Sequence, residues 1–280
     1  MQTITTIKEM SGRLEAFRPE KRIGFVPTMG WLHEGHLRLL KTAKSLSDVT
    51  VLSIYVNPSQ FGPGEDYSLY PRDVERDHRL AEEAGADFIF LPPDEEMYPP
   101  GYQTWVSVDE LTRHLCGASR PGHFRGVTTV VTKLFNIVRP HLAVFGQKDA
   151  QQALVIKRMV YDLNIDVDIV MAPTVREKDG LAVSSRNKNL TPDQRRAAPL
   201  IYQALQKCSK SIQQGNRDCA RLKKMVRDMI TDNPLLQIDY VECVDLDRMQ
   251  PLRHISASAL IAVAVRTGTV RLVDNIIVDI

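Results

Sequence analysis

Between Ile23 and Ala172, short apolar runs alternate with segments whose apolar positions recur at helical spacing, a rhythm few architectures accept. The runs Ile23–Val26, Val49–Val56, Asp87–Leu91, Leu142–Phe145 and Val167–Val170 predict about five strands. Helices are expected over Ile4–Phe17, His36–Leu46, Asp73–Ala84, Val127–Val138 and Ala150–Asp162, while Asn57–Gly64, with Pro58, Gly62 and Pro63, must be loop. The strands show little apolar-polar alternation, so both faces of their sheet are covered. Residues 1–175 therefore predict an α/β, Rossmann-like, doubly wound parallel sheet.

The texture changes after Ala172. Val175–Leu190 is polar and follows neither period, two long helical patterns lie between Pro192 and Thr231, and Gln237–Val244, Ala259–Val265 and Val270–Ile277 have strand character. Residues 176–280 are expected to form a second, smaller α+β domain that acts as a lid. The charge balance, 36 basic against 34 acidic side chains, leaves +2, and no like-charge block marks a nucleic-acid or membrane footprint. Arg217, Arg221, Lys223, Lys224 and Arg227 recur at helical spacing and are read as a solvated face. Cys116, Cys208, Cys219 and Cys243 suggest neither a disulfide framework nor a zinc site. The first twenty residues lack a continuous apolar core, and the longest apolar run, Ala259–Val265, is too short to span a bilayer, so a cytoplasmic location is expected.

Pro27-Thr28-Met29-Gly30-Trp31-Leu32-His33-Glu34-Gly35-His36 falls where the first strand of the α/β pattern gives way to a helix. Ligands of open parallel sheets bind beyond the carboxyl ends of the strands, and a helix N-terminus there favours an anion such as a triphosphate. His33 and His36 could both face it as donors, or the segment could be a turn with two surface histidines. A zinc site lacks a third ligand nearby.

The His33-Glu-Gly-His36 signature resembles that of the adenylate-forming nucleotidyltransferases related to class I aminoacyl-tRNA synthetases. With Pro27-Thr-Met-Gly before it, and with Val56-Asn-Pro-Ser-Gln-Phe-Gly62, Tyr70-Pro-Arg72, Arg120-Pro-Gly-His-Phe-Arg-Gly126, Phe145-Gly-Gln-Lys-Asp-Ala-Gln-Gln152 and Val183-Ser-Ser-Arg-Asn187 in order after it, the chain resembles the pantothenate synthetases. These ligases join pantoate to β-alanine at the expense of ATP. The resemblance implies ATP contacts at Pro27, Thr28, Met29, Gly30, His33, Gly35, His36, Gly146, Gln147, Lys148, Asp149, Val175, Val183, Ser184, Ser185 and Arg186. It implies contacts to pantoate or β-alanine at Met29, Asn57, Gln60, Gln152 and Arg120, a nucleotide accompanied by Mg²⁺, and a homodimer. Val183 stands where methionine or leucine is the family expectation, and Trp31 is bulky for a loop beside a nucleotide.

Each segment also has a reading of its own. Asn57 and Gln60 carry neutral amides suited to holding a hydroxy acid, although Asn-Pro-x-Gln is also an ordinary turn. Lys148 offers a point charge for phosphate and Asp149 an acceptor for a ribose hydroxyl. Ser184, Ser185 and Arg186 suit phosphate clamping, and equally a surface loop. Arg120, with His123 and Arg125, could meet an amino acid's carboxylate or make surface pairs. Asp73, Glu75 and Asp77 could hold magnesium, but at a helix start they are better explained by the helix dipole.

The resulting expectation is acid activation. Pantoate would attack the α-phosphate of ATP, the mixed anhydride would pass to the β-alanine amine, and His36 would handle the proton, with His33, Lys148, Ser184, Ser185 and Arg186 stabilising phosphate charge. Two rivals are a nucleotidyltransferase that leaves the adenylyl group on a phosphorylated acceptor, and a nucleotide-sensing or RNA-binding module without the chemistry.

Overall fold

A computed structural model describes all residues, 1–280, and groups them into two compact units. The first unit comprises Met1–Asp109, Arg120–Gly146 and Val155–Pro173, and the second Glu110–Ser119, Gln147–Leu154 and Thr174–Ile280. In chain order the elements up to Pro173 are β1 (Gln2–Ile4), α1 (Ile7–Glu15), β2 (Ile23–Thr28), α2 (Glu34–Leu46), β3 (Val49–Ile54), α3 (Val74–Glu83), β4 (Phe88–Phe90), α4 (Asp94–Met97), α5 (Cys116–Ser119), α6 (His123–Val138), β5 (Leu142–Gly146), α7 (Ala150–Asp162) and β6 (Asp168–Ala172). Three helices, α8 (Pro192–Ala197), α9 (Leu200–Gln213) and α10 (Cys219–Thr231), precede β7 (Gln237–Asp245), β8 (Ala259–Thr267) and β9 (Val270–Val278).

In the first unit β1 to β6 form one parallel sheet in the order β1-β4-β3-β2-β5-β6. All six residues of β3 are buried, as a strand covered on both faces requires. One side packs Val26, Leu52, Ile89 and Val144 against Leu40 and Ala43 of α2 and Ala81 of α3. The strand order reverses between β2 and β5, so the segments that follow these two strands leave from the switch point where such sheets bind ligands.

The second unit contains an antiparallel sheet in the order β7-β8-β9. Val241, Ile261, Val263 and Val265 pack against Ile201 and Leu205 of α9 and Leu222 and Val226 of α10. The basic positions of α10 are paired locally, Lys223 with Glu242, Lys224 with Asp228 and Arg221 with Asp218, which suits a solvated face. All four cysteines are free, and no helix is long and apolar enough to cross a membrane.

Three sequence expectations need correction. Ile4 belongs to a strand, not a helix: Thr6 caps α1 by accepting from Glu9 N, and the three residues of β1 before it pair with the strand β4, too short a run to show a period. With β1 added to the five expected strands, the parallel sheet has six rather than about five, and Asp168–Ala172 is the fifth of those expected. The Pro192–Thr231 region holds three helices rather than two, because Pro199, which has no N–H to donate, separates α8 from α9. The expected division at 175/176 lies beside the observed one at 173/174, but 110–119 and 147–154 also group with the second unit. The Gln151 amide explains part of this grouping, donating to Leu111 and His114 carbonyls and accepting from Cys116 N.

Candidate active site

β2 ends at Thr28, whose hydroxyl donates to Ser53 O at 2.8 Å and accepts from Gly30 N at 3.2 Å. Trp31 then adopts a left-handed conformation, φ 49°, which is unfavourable for a large side chain. Asp77 of α3 compensates: its buried carboxylate accepts from Trp31 N at 2.6 Å and Leu32 N at 2.7 Å. Arg76 closes the other side, donating to Leu32 O at 2.8 Å with its guanidinium 4.9 Å from the Trp31 ring centroid. Burial pushes the Asp77 carboxyl above the ordinary aspartate range, and the two backbone N–H groups and Arg76 pull it back only in part.

This bracing delivers His33 as the N-cap of α2 and His36 in its first turn. The imidazoles stack with centroids 3.9 Å apart and planes 18° from parallel. A Cβ on Gly35 would come within 2.9 Å of the His33 ring, so only glycine lets the rings close to this spacing. The His33 side chain makes no capping hydrogen bond to the start of α2.

After β3, Asn57 caps a 3₁₀ turn, Pro58–Gln60. Its amide orientation follows from backbone groups whose roles are unambiguous: Oδ1 accepts from Ser59 N, and Nδ2 donates to Gly126 O at 3.1 Å. Nδ2 also donates to Gln60 Oε1 at 3.1 Å, which turns Gln60 Nε2 outward, 3.2 Å from Met29 Sδ. Tyr98 and Ser59 hydroxyls complete the shell by donating to Asn57 Oδ1, each at 2.9 Å. Burial raises the Tyr98 phenol to about 12, so it stays a protonated donor near neutral pH. The close approach of α6 to this turn depends on Gly126, where a Cβ would lie 2.4 Å from Ser59 O.

Arg120 lies at the edge of the same turn and is committed to Glu65, at 2.5 and 2.7 Å, with His123 at 3.0 Å. Burial would raise the Glu65 carboxyl, but hydrogen bonding and attraction from Arg120 hold it below the usual carboxylate range. Asn57 is thus fully engaged and serves to aim the Gln60 amide, and the nearby Arg120 guanidinium is paired with Glu65.

In the second unit, Gln147–Asp149 forms a 3₁₀ turn before α7, with half-buried Lys148 3.6 Å from Asp149. Gln151 is buried in structural hydrogen bonds, whereas Gln152, one residue on, is half-buried and engaged in none of them. Val175 and Val183 face one another across a short hairpin, Val183 N donating to Val175 O, which leads into a 3₁₀ turn over Ser185–Asn189. Ser184 caps that turn by accepting from Arg186 N, and Asn187 ties it back to Glu177 and Ala182. One cleft of this unit is lined by Lys148, Ser184, Asn187, Tyr202 and Asp274.

The family model described as Pantoate-beta-alanine ligase matches residues 2–277. The chain belongs to this ligase family. It is similar to the pantothenate synthetases of Pelotomaculum thermopropionicum, 57% identical over 99% of both chains, and Heliobacterium modesticaldum, 55% identical over 100% of both. Among solved structures, pantothenate synthetase from Thermus thermophilus superposes with a TM-score of 0.93 at 46% identity, covering 99% of both chains. A Francisella tularensis pantoate-beta-alanine ligase, solved in complex with beta-gamma ATP and beta-alanine, gives 0.82 at 35% identity, covering 99% of this chain and 97% of that one.

The first unit contains Pro27–Gly30, His33, Gly35, His36, Asn57, Gln60, Arg120 and Gly146, and the second Gln147–Asp149, Gln152, Val175 and Val183–Arg186. Asp77 is the residue that sequence reasoning undervalued: the dipole explanation fits Asp73, which caps α3, but Asp77 points its carboxylate at the histidine loop. A lone aspartate in the first turn of a helix carries no sequence signal of a partner 45 residues away. No group of three or more His, Cys, Asp or Glu side chains is placed to hold a metal ion.

Proposed function

We infer that this ligase condenses pantoate with β-alanine, using ATP, by way of a pantoyl adenylate. The observation that carries the acid-activating reading is the Gln60 amide, held in direction by Asn57. Its Nε2 is a neutral donor of fixed direction, and the nearby Arg120 guanidinium is paired with Glu65, which suits a small hydroxy acid and disfavours a phosphorylated acceptor.

A pantoate carboxylate oxygen attacks the α-phosphorus. The new P–O bond forms as the bond to the bridging oxygen breaks, and diphosphate leaves with the electron pair. Gln60 Nε2, with Gln152, orients the acid. His33, His36 and the N-terminal N–H groups of α2 stabilise charge on the α-phosphate, while Lys148, Ser184, Ser185 and Arg186 stabilise the departing diphosphate. Mg²⁺ enters with the nucleotide as part of that substrate. In the second step the neutral amine of β-alanine attacks the acyl carbon, the amide bond forms and AMP leaves, with His36 handling the proton. A carboxylate contact at Arg120 would have to compete with Glu65. A homodimer and a cytoplasmic location complete the proposal.

The test is product analysis with pantoate, β-alanine and MgATP: pantothenate, AMP and diphosphate should appear in equal amounts. ADP and phosphate instead would mean an acyl phosphate and sink the adenylate. His36→Ala should slow adenylate formation about a hundredfold or more while leaving the melting temperature nearly unchanged. A lower melting temperature with an unchanged rate contradicts the role given to His36.

A further inference from the structure

The last strand of the second unit carries two consecutive buried polar residues, Asp274 and Asn275, exposed by only 5% and 4%. Asn275 Nδ2 donates to the carbonyls of both Gln147 and Lys148, each at 2.9 Å. Carbonyls only accept, so the amide has one possible orientation, and it leaves Oδ1 buried without a partner. An unpaired buried acceptor is destabilising, and an apolar side chain would serve the core better. What asparagine adds at this position is a grip on the two carbonyls that frame Lys148.

Asp274 does the equivalent for the other phosphate-side segment. Its carboxylate accepts from Arg176 Nη1 at 2.6 Å and Nη2 at 2.9 Å, and from Asn275 N at 2.8 Å. Arg176 is further fixed by the Tyr202 ring, whose centroid lies 3.6 Å away, and by Gly180 O at 3.1 Å. Arg176 pairs with Ala182 across the hairpin whose second arm leads directly to Ser184. Lys148, Ser184 and Asp274 line one cleft.

We propose that Asp274 and Asn275 are positioning residues for nucleotide activation: β9 holds the Lys148 turn through the Gln147 and Lys148 carbonyls, and the Ser184–Arg186 turn through Arg176, at a fixed separation. This rests on the reading that Lys148 and Ser184–Arg186 serve the phosphates. Neither β9 residue touches substrate in this scheme. Each acts by removing the freedom of a segment that does, and misplacing a charge by about 1 Å is enough to cost up to about a hundredfold in rate.

The experiment is diphosphate exchange into ATP with pantoate, comparing the wild type with Asn275→Leu, which keeps the number and branching of the side-chain heavy atoms and removes both donors. The variant should lose about tenfold to a hundredfold in kcat/KM for ATP, with the KM for pantoate within about twofold. A merely structural role would lower the active fraction and leave both KM values alone. Asn275→Asp supplies a second readout if the leucine variant folds poorly. Its neutral carboxyl can donate to one carbonyl and its ionised form to neither, so its activity relative to wild type should fall as pH rises from about 5 to about 8. A profile parallel to wild type, or an unchanged ATP KM and kcat in Asn275→Leu, overturns the proposal alone. No pantoate-dependent exchange in the wild type overturns the functional reading and this proposal with it.

Discussion

The turns at Pro58–Gln60 and Ser185–Asn189 are both 3₁₀ segments capped by a short polar side chain, yet opposite chemistry holds them. Around Asn57 every amide direction is dictated by neutral partners that are buried or half-buried, two of them backbone groups. Around Ser184 the largely buried Arg176–Asp274 pair is joined by ionic supports that are half-exposed: Arg195 bridges Glu177 and Asp179, both at 2.6 Å, and Asn187 hangs from Glu177. Buried neutral hydrogen bonds do not weaken with salt, whereas exposed ion pairs do. On the function proposed above, the first turn would meet the small acid with a rigidly aimed donor, and the second would meet phosphates from a segment held in part by exposed ion pairs.

The largest break in this contrast should come from Gln60→Glu, which puts an ionised acceptor where Nε2 now donates, against an anionic acid. The pantoate KM should rise about thirtyfold or more with the ATP KM little changed, as steady-state kinetics would show. An unchanged pantoate KM would remove Gln60 from the acid's binding site. Next in size is Asp77→Asn, whose amide nitrogen must face either Trp31 N or Leu32 N. Losing one bond and leaving that N–H buried should cost about 1–3 kcal/mol and slow exchange about tenfold, by thermal melts and kinetics together. Full activity would mean that the histidine loop holds itself.

Arg195→Ala sharpens the other side of the comparison. It should raise the ATP KM only about two- to fivefold at low ionic strength, with the difference from wild type shrinking at about 0.5 M salt. A salt-independent effect would contradict the ionic support. Smallest is Glu65→Gln. The folded-state carboxyl pKa of Glu65 is depressed, so its pairing with Arg120 stabilises above the unfolded carboxylate pKa and is lost as pH falls through the folded value. The melting-temperature gap between wild type and Glu65→Gln should be full at neutral pH and close below about pH 4.

Much of this molecule is legible in its sequence. A β-branched run without charges marks β3 and an apolar run marks β5, because both sheet faces are covered, and the helix opening at Glu34 places His33 and His36 as the motif spacing implies. β1 is not legible, since three residues carry no period and its pairing with β4 spans 86 positions. Nor is the distinction between Gln151, spent on Leu111, His114 and Cys116, and Gln152 beside it, because neighbouring helix positions face different directions. Arg120 looks like a ligand for a carboxylate until Glu65, 55 residues earlier, is found against it. Periodic burial shows in a sequence, and the choice of polar partner is made by tertiary structure.

The central claim is that an acid is activated on ATP before any amine is needed. It is tested most directly by exchange of labelled diphosphate into ATP with pantoate present and β-alanine absent. The account predicts exchange that depends wholly on pantoate. Folded protein that binds ATP and shows no exchange with pantoate, or exchange of the same size without any acid, would contradict it.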